Sequence, residues 1–352
     1  MNLVKEQSAS VKNEKAIKLE AEEYKFIENV EKAINPAEVS NLYFFQGFRK
    51  YIPNFLFKAL LDRTSRKTPR MGFVIDPYCL FHFFKLKDID AAQAMLPERY
   101  ELTKACIFDG DEPQYYFGMG TFNTKASTFW GVRQEMYLIA RDRETGLLSW
   151  IFIDIISNTL ISLPTVGVAS PNSNSAMYTT NGRGDIFMDI REAKSDRRFQ
   201  CTGNVRNGEM RALEQNLWLM GNTSIAHSKK LGGSIYEEPF AVVFDPDLVK
   251  EALDIPVEDI QVKINTLFPG LAEAELHKVA CFPYSQHYVA DSPGCRTYVK
   301  DRADMIEKYR DLAAQDGIPT YSTKGIRTLF FGGIIFTSCA AVWLLLMQIL
   351  GL

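Results

Sequence analysis

The run Leu329–Leu352 reads LFFGGIIFTSCAAVWLLLMQILGL and constrains the chain more than any other stretch. It has no charged residue, and Thr337, Ser338 and Gln348 are its conventional polar side chains. Roughly 24 residues at about 1.5 Å each make about 36 Å of helix, enough to cross a hydrocarbon core of about 30 Å with some tilt. A helix buried in a protein core rarely runs this long without a polar face. The sequence therefore predicts one C-terminal transmembrane helix over residues 328–352, with Lys324 and Arg327 just before it. Residues 1–40 hold mixed charge and no apolar core of a signal peptide. Basic residues flanking the span on its N-terminal side belong on the cytoplasmic face. Together these features predict a single-pass, tail-anchored protein with most of the chain facing the cytoplasm.

The formal net charge of −3 gives no general attraction to nucleic acid. No two of the six cysteines form a CxxC pair, and the four histidines are scattered, so no metal site is expected. Neither a Gly-rich phosphate loop, a Gly-x-Ser-x-Gly elbow nor a dinucleotide fingerprint is present, and no cofactor is expected.

Four regions follow from the patterning. In residues 1–40, Ile17, Tyr24, Ile27, Val30 and Ile34 recur at helical spacing between charged residues, and Asn35-Pro36 stops the helix. Such an arm docks either on its own domain or on a partner helix. Residues 41–70 mix Phe44, Phe45, Phe48 and other aromatics with Arg49, Lys50, Arg66 and Lys67. Rings beside cations suit the headgroup layer of a membrane, and equally a helix packed on its domain with a solvated basic turn. Residues 71–320 form the globular part, and 328–352 the anchor.

In the globular part, Tyr115–Phe122, Phe129–Ala140 and Leu147–Ile156 read as consecutive strands, the last two joined by the turn Arg141–Gly146. Leu147–Ile156 is apolar on both faces and belongs at the centre of a sheet covered on both sides. Further strands are expected over Asp185–Arg191, Phe199–Val205, Met210–Leu219 and Ile235–Phe244. Asp88–Leu96, Asp247–Leu253 and Asp301–Ala314 are expected as helices, and Ser170–Gly184 as a long loop. The fold class is mainly β (α+β): a large curled antiparallel sheet or closed cone-like barrel with peripheral helices.

Alternation along Phe129–Ala140 puts Arg133, Glu135 and Tyr137 on one face and Trp130, Val132, Gln134, Met136 and Leu138 on the other. Pointing inward, Arg133 and Glu135 form a charge pair able to orient a carboxylate or carbonyl. Asp154, in an apolar strand, needs a partner, and Arg133 or Arg141 on the adjacent strand is the natural one. Tyr115, Phe117, Trp130 and Trp150 are candidate apolar lining for the same site, and equally good core.

The run from Phe129 to Asp154, followed by Ser157-Asn158-Thr159, resembles the central strands of acetoacetate decarboxylase-like proteins. So does the part from Met71 through Leu96-Pro97-Glu98-Arg99-Tyr100. The resemblance spans residues 70 to 290 and implies a closed, cone-like antiparallel barrel around an apolar cavity. It places Glu135 where the family carries an active-site strand glutamate. The family's decarboxylases form a Schiff base on a lysine in a Gly-aromatic-Pro-Lys-Lys turn. The equivalent turn here, Gly167-Val168-Ala169-Ser170-Pro171-Asn172, has no lysine, and Lys229-Lys230-Leu231-Gly232 mimics the motif several strands later.

Three functions remain open from the sequence. One is a β-barrel protein at the membrane surface that binds a hydrophobic or lipid-like small molecule, with membrane lipid as its other partner. Another is a lyase using Glu135, Arg133 and Lys229 or Lys230. The third is an accessory subunit, a homo-oligomer or the partner of another helix, using the N-terminal arm or Gly332-Gly333 in the span for helix contacts.

Overall fold

The computed structural model describes residues 21–48, 51, 53, 70–163, 167–233, 238–291, 296–320 and 322–350. Arg49, Lys50, Arg66 and Lys67, and the first half of the N-terminal arm, lie outside them.

Asn35-Pro36 ends one helix and starts another. Helix α1 covers residues 21–33, and α2 is Pro36–Gly47, with the Asn35 side chain capping the Ala37 N–H at 2.9 Å and proline in the first turn. The described part of the arm docks on its own domain. Phe26, Val30, Ala33 and Ile34 are buried in the core. Among the described residues, three further helices follow, α3 (Ile89–Met95), α4 (Arg302–Ala313) and α5 (Lys324–Leu350). The Phe26 ring lies 4.4 Å from Tyr309 of α4. The Asn29 amide donates to the carbonyls of Leu312, Ala313 and Gln315 at 3.0, 3.3 and 2.9 Å, satisfying the end of α4.

Between α2 and α4 the chain is mainly β. The first strands are β1 (Arg70–Ile75), β2 (Cys79–Leu86), β3 (Tyr100–Leu102), β4 (Tyr116–Ala126), β5 (Trp130–Asp142) and β6 (Leu148–Ser157). A small hairpin of β7 (Ile161–Leu163) and β8 (Gly167–Ala169) precedes β9 (Ser173–Thr180), β10 (Asp185–Glu192) and β11 (Arg198–Asn204). The rest are β12 (Glu209–Ala212), β13 (Ile225–His227), β14 (Val242–Val243), β15 (Glu251–Asp254), β16 (Ile260–Asn265), β17 (Ala272–Phe282) and β18 (Gln286–Asp291).

Strands β4, β5 and β6 make an antiparallel ladder with β3 at the Ala140–Asp142 end of β5. The free edge of β4 is long enough for two partners: β2 takes Tyr116–Thr121 and β1 takes Thr124–Ala126. The chain kinks between those strands, where Tyr78 adopts φ +68°. Strand β18 pairs β1 and β17 pairs β2, while β14, β15 and β12 extend the sheet beyond them. On the far side β13 runs parallel to β6, and Ile225 exchanges both backbone hydrogen bonds with Phe240 at 2.9 and 2.8 Å. From β4 the pairings run through β5, β6 and β13 to Phe240 on one side and through β1 and β18 to β14 on the other, in a large curled sheet as expected, with one parallel pair at β6–β13.

One core fills the concave side of this curled sheet with Cys79, Phe83, Phe122, Tyr137, Trp150, Phe152, Trp218, Phe282 and Tyr288. A second four-stranded sheet, ordered β16–β11–β10–β9, covers the convex side. Ile186, Met188, Ile190, Phe199 and Cys201 from that sheet pack on Leu80, Phe84, Met119, Met136 and Ile153. Every residue of β6 is therefore buried, as its two apolar faces require.

Several element assignments change. Ser173–Thr180, inside the expected Ser/Asn-rich loop, is a strand held by β10. Met210–Leu219 is not one strand: β12 stops at Ala212, and a π-helical turn, Asn216–Met220, buries Leu217 and Trp218. Asp247–Leu253 is a 3-10 turn running into β15, since edge pairing to β17 outweighs helix propensity.

Helix α5 has a mean hydropathy of 2.2 over its most apolar 18-residue window, and none of that window is buried. It is long and apolar enough to cross a membrane.

Candidate functional site

Strand β5 starts under a loop that leaves no room for a side chain. Gly131 has φ +143°, and a Cβ there would lie 2.4 Å from Asn158 Oδ1. That oxygen accepts the Val132 N–H at 2.8 Å, and Ser157 Oγ donates to the Val132 carbonyl at 2.8 Å. The Ser157–Leu160 loop is thereby fixed over the start of β5, and Arg133 reaches it.

Arg133, Glu135 and Tyr137 then line up on the concave face as the alternation predicts. Arg133 Nε donates to Glu135 Oε1 at 2.8 Å, and the Tyr137 hydroxyl donates to Oε2. Arg133 Nη1 donates to Thr159 Oγ1 at 3.1 Å and to the Leu160 carbonyl at 3.3 Å, with the guanidinium 4.4 Å from the Phe129 ring centroid. No described residue accepts from Nη2. The three side chains belong to residues only 5, 7 and 8 % exposed. Burial, the Glu135 charge and the hydrogen bond to it all push the Tyr137 hydroxyl well above the usual phenol range. The Cys79 thiol is also pushed up, by burial first, then by Cys281 and Glu135.

Beyond Tyr137 the site continues in rings. Phe152 and Trp150 lie 4.7 and 5.4 Å from Tyr137 by centroid, and Trp218 lies 5.2 Å from Trp150. At the other end, Leu42 of α2 packs with Ala126, Phe129 and Leu160, and Tyr43 packs against that group. The Leu160 N–H donates to the Tyr43 hydroxyl at 3.1 Å. Chemically, the arrangement offers a guanidinium donor and a carboxylate acceptor side by side in an otherwise aromatic interior.

The other candidates do not converge here. Asp154 faces the convex side because β6 carries an extra residue: Met136 opposes Asp154 while Tyr137 opposes Phe152. Its partners are Arg197 at 2.8 Å and Lys230 at 2.9 Å, not the expected Arg133 or Arg141. Lys230 is thus spent on the wrong face, and Lys229 Nζ donates to the Ala94 carbonyl at 3.1 Å on the surface. No lysine is buried among the described residues. Phe117 packs between the sheets, its ring 5.5 Å from Phe268. Tyr115 also sides with the second sheet, under Lys104 at 5.6 Å, and Trp130 is 37 % exposed. Of the proposed lining, Trp150 alone joins Arg133 and Glu135.

Of the sequence-predicted membrane residues, the described ones gather where α2 meets α5. Phe44, Phe45 and Phe48 surround Phe330 with centroids 5.9, 5.5 and 5.3 Å away. Glu38 accepts from the Thr323 N–H at 2.5 Å and its hydroxyl at 2.6 Å, and pairs with Arg327 at 3.5 Å. Lys324 opens α5.

Sequence reasoning missed Thr159, Leu160, Phe129 and Tyr43 as neighbours of Arg133. Ser157-Asn158-Thr159, a cluster of short polar residues after an apolar strand, was the available signal for the loop. Tyr43 had none, lying 117 residues from Leu160.

No family model matches the chain, and no curated protein matches it. A crystal structure of acetoacetate decarboxylase from Legionella pneumophila is similar over 63 % of this chain and 85 % of that one, at 12 % identity and a TM-score of 0.36. At that level the likeness fixes neither the family nor the chemistry of this chain.

Proposed function

We propose that this chain is a membrane-anchored β protein that binds a lipid-like small molecule on the concave face of its sheet, at Arg133, Glu135 and Tyr137. The observation that carries the reading is the unused donor capacity of Arg133, a buried guanidinium held beside a carboxylate within an aromatic interior. Nη2 donates to no described residue and is not itself sealed in the interior, so a ligand oxygen that reaches it can take up this donor. Helix α5 is the anchor, and Lys324 and Arg327 in its first turn, ahead of the uncharged run, support a cytoplasmic location for the β domain. Native mass spectrometry of the full chain released from detergent tests the proposal: a reproducible added mass of lipid size is expected, lost in Arg133→Leu. Protein without added mass in both forms would count against it.

A lyase reading draws on one contact, the proton-bearing Tyr137 hydroxyl on Glu135. It proceeds by acid–base chemistry, because Lys229 and Lys230 do not reach the site. Glu135→Gln separates the two readings: its amide oxygen still accepts a hydrogen bond, so ligand retention should be weakened but kept in the first, whereas turnover should be abolished in the second.

A further inference from the structure

Helix α2 touches the site with one side and the anchor with the other. Inward, Leu42 and Tyr43 cover Phe129 and Leu160, and the Leu160 peptide links them to the guanidinium. Its N–H binds the Tyr43 hydroxyl, and its carbonyl accepts from Arg133 Nη1. Outward, Phe44 and Phe48 meet Phe330, the second residue of the uncharged run that begins at Leu329. Phe44 is still 46 % exposed there. With α5 in a bilayer, the covered end of the site lies at the membrane surface, and α2 is the layer between them. Glu38 is the sole charged residue of α2, and its bonds to Thr323 and Arg327 fasten the helix to the anchor.

The head-group chemistry follows from the guanidinium. Nε and Nη2 present N–H groups on the same side of the fork, and Glu135 already occupies the Nε side. An atom bound by the Nη2 hydrogen on that side is therefore a neighbour of the Glu135 carboxylate. A carboxylate or phosphate oxygen there would face a like charge in a poorly screened interior. A hydroxyl accepts from Nη2 and donates to a free lone pair of Glu135, leaving the site neutral.

We infer that the site takes a neutral, hydroxyl-headed lipid drawn directly from the bilayer through the end covered by α2. This rests on the ligand-binding reading above. The head binds between Arg133 and Glu135, and the chain follows the rings from Tyr137 and Phe152 to Trp150 and Trp218.

The test uses the full chain with Trp130→Phe and Trp343→Phe, so that Trp150 and Trp218 remain of its four tryptophans. In phosphatidylcholine vesicles, a brominated monoacylglycerol should quench their emission to saturation, and a brominated fatty acid should not. Equal quenching by the fatty acid overturns the choice of head group while leaving the site standing. Quenching in detergent micelles but not from vesicles overturns entry from the bilayer. Quenching by neither lipid in either medium removes the ligand-binding reading itself. Glu38→Gln, which loosens α2 from Thr323 and Arg327 without touching the site, should speed loading from vesicles severalfold. An unchanged rate would show that α2 does not control the entrance.

Discussion

Glu135 and Asp154 lie on adjacent strands of one hairpin, both buried, and project from opposite faces of the sheet. The extra residue in β6 separates them: Glu135 pairs in register with Ile155, and two steps along, Tyr137 pairs with Phe152. One carboxylate goes to Arg133 in the concave interior, and the other goes to Arg197 and Lys230 on the convex side. Their substitutions should therefore behave differently.

Arg133→Met leaves Glu135 as an uncompensated buried carboxylate, for which a cost of about 3–5 kcal/mol is expected. Adding Glu135→Gln removes the charge and should restore most of that loss. Urea denaturation of the two single variants and the double variant measures the coupling directly. Additive losses would mean that the two side chains do not form an ion pair.

Asp154 makes a structural tie between β6 and the β10–β11 turn. Lys230 is the more expendable partner, its side chain being 61 % exposed, and Lys230→Ala should change stability by less than about 1 kcal/mol. Asp154→Asn, which weakens the bond to the better-buried Arg197 as well, should cost about 1–3 kcal/mol. Neither change should alter lipid retention. A loss of ligand in Asp154→Asn at full stability would move the site to the convex face.

Two buried histidines should make stability fall in mild acid. Burial holds His82 and His227 down to about 4, against a usual value of 6.5. Both are neutral in the folded and unfolded chain above pH 6.5, so they contribute no pH dependence there. Below it the unfolded chain takes up protons that the folded chain refuses, and stability declines until about pH 4. The full loss is about 3 kcal/mol per histidine. His82 lies wholly between the two sheets, with Phe199 edge-on at 5.4 Å. His82→Leu should flatten part of the decline between pH 6 and pH 4 in a series of urea melts. An unchanged slope would show that this histidine does not set it.

Asn29 should matter more than its place in a charged arm suggests. Its amide satisfies three carbonyls at the end of α4, so Asn29→Ala removes a buried cap and should cost about 1–3 kcal/mol. Hydrogen exchange should quicken in residues 21–33 and 302–315 together while β4–β6 stay protected. Exchange rising across the whole sheet would mean that α1 is part of the folding core.

The central hairpin and the long apolar C-terminal helix were legible in the sequence because each obeys a single dominant pattern. Phe129–Ala140 alternates, Leu147–Ile156 is apolar throughout, and Leu329–Leu352 is uncharged, so faces and burial followed from residue type. The partner of Asp154 was not legible, since a one-residue bulge leaves no mark in an apolar run yet reverses the face of one side chain. Met210–Leu219 misled for a related reason: its apolar residues are buried by a π-helical turn, and burial alone does not distinguish strand from turn. Lys229-Lys230 carried a motif without its surroundings. Strand β13 delivers them beside Asp154 and Ala94, on the other side of β6 from Glu135. The cover over Arg133 depends on α2 returning across more than a hundred residues, which local patterning does not record.

Deleting residues 324–352 should release the β domain without unfolding it. The 18-residue apolar window of α5 contributes nothing to the core, and α5 meets the rest of the protein mainly through Phe330 and Arg327. Aromatic pairs of this kind contribute about 0.5–1.5 kcal/mol each beyond area burial, too little to hold up a domain with two extensive cores. The melting temperature of the truncated chain should stay close to that of the full chain in detergent. Removing Phe330 uncovers Phe44, Phe45 and Phe48 at one spot, and such a patch still adsorbs to bilayers. Sedimentation with phosphatidylcholine vesicles should show weak binding by the truncated chain, abolished by Phe44→Ser with Phe48→Ser. A truncated chain that melts far lower would make α5 part of the fold. One with no vesicle affinity would place the α2 aromatics away from the membrane surface.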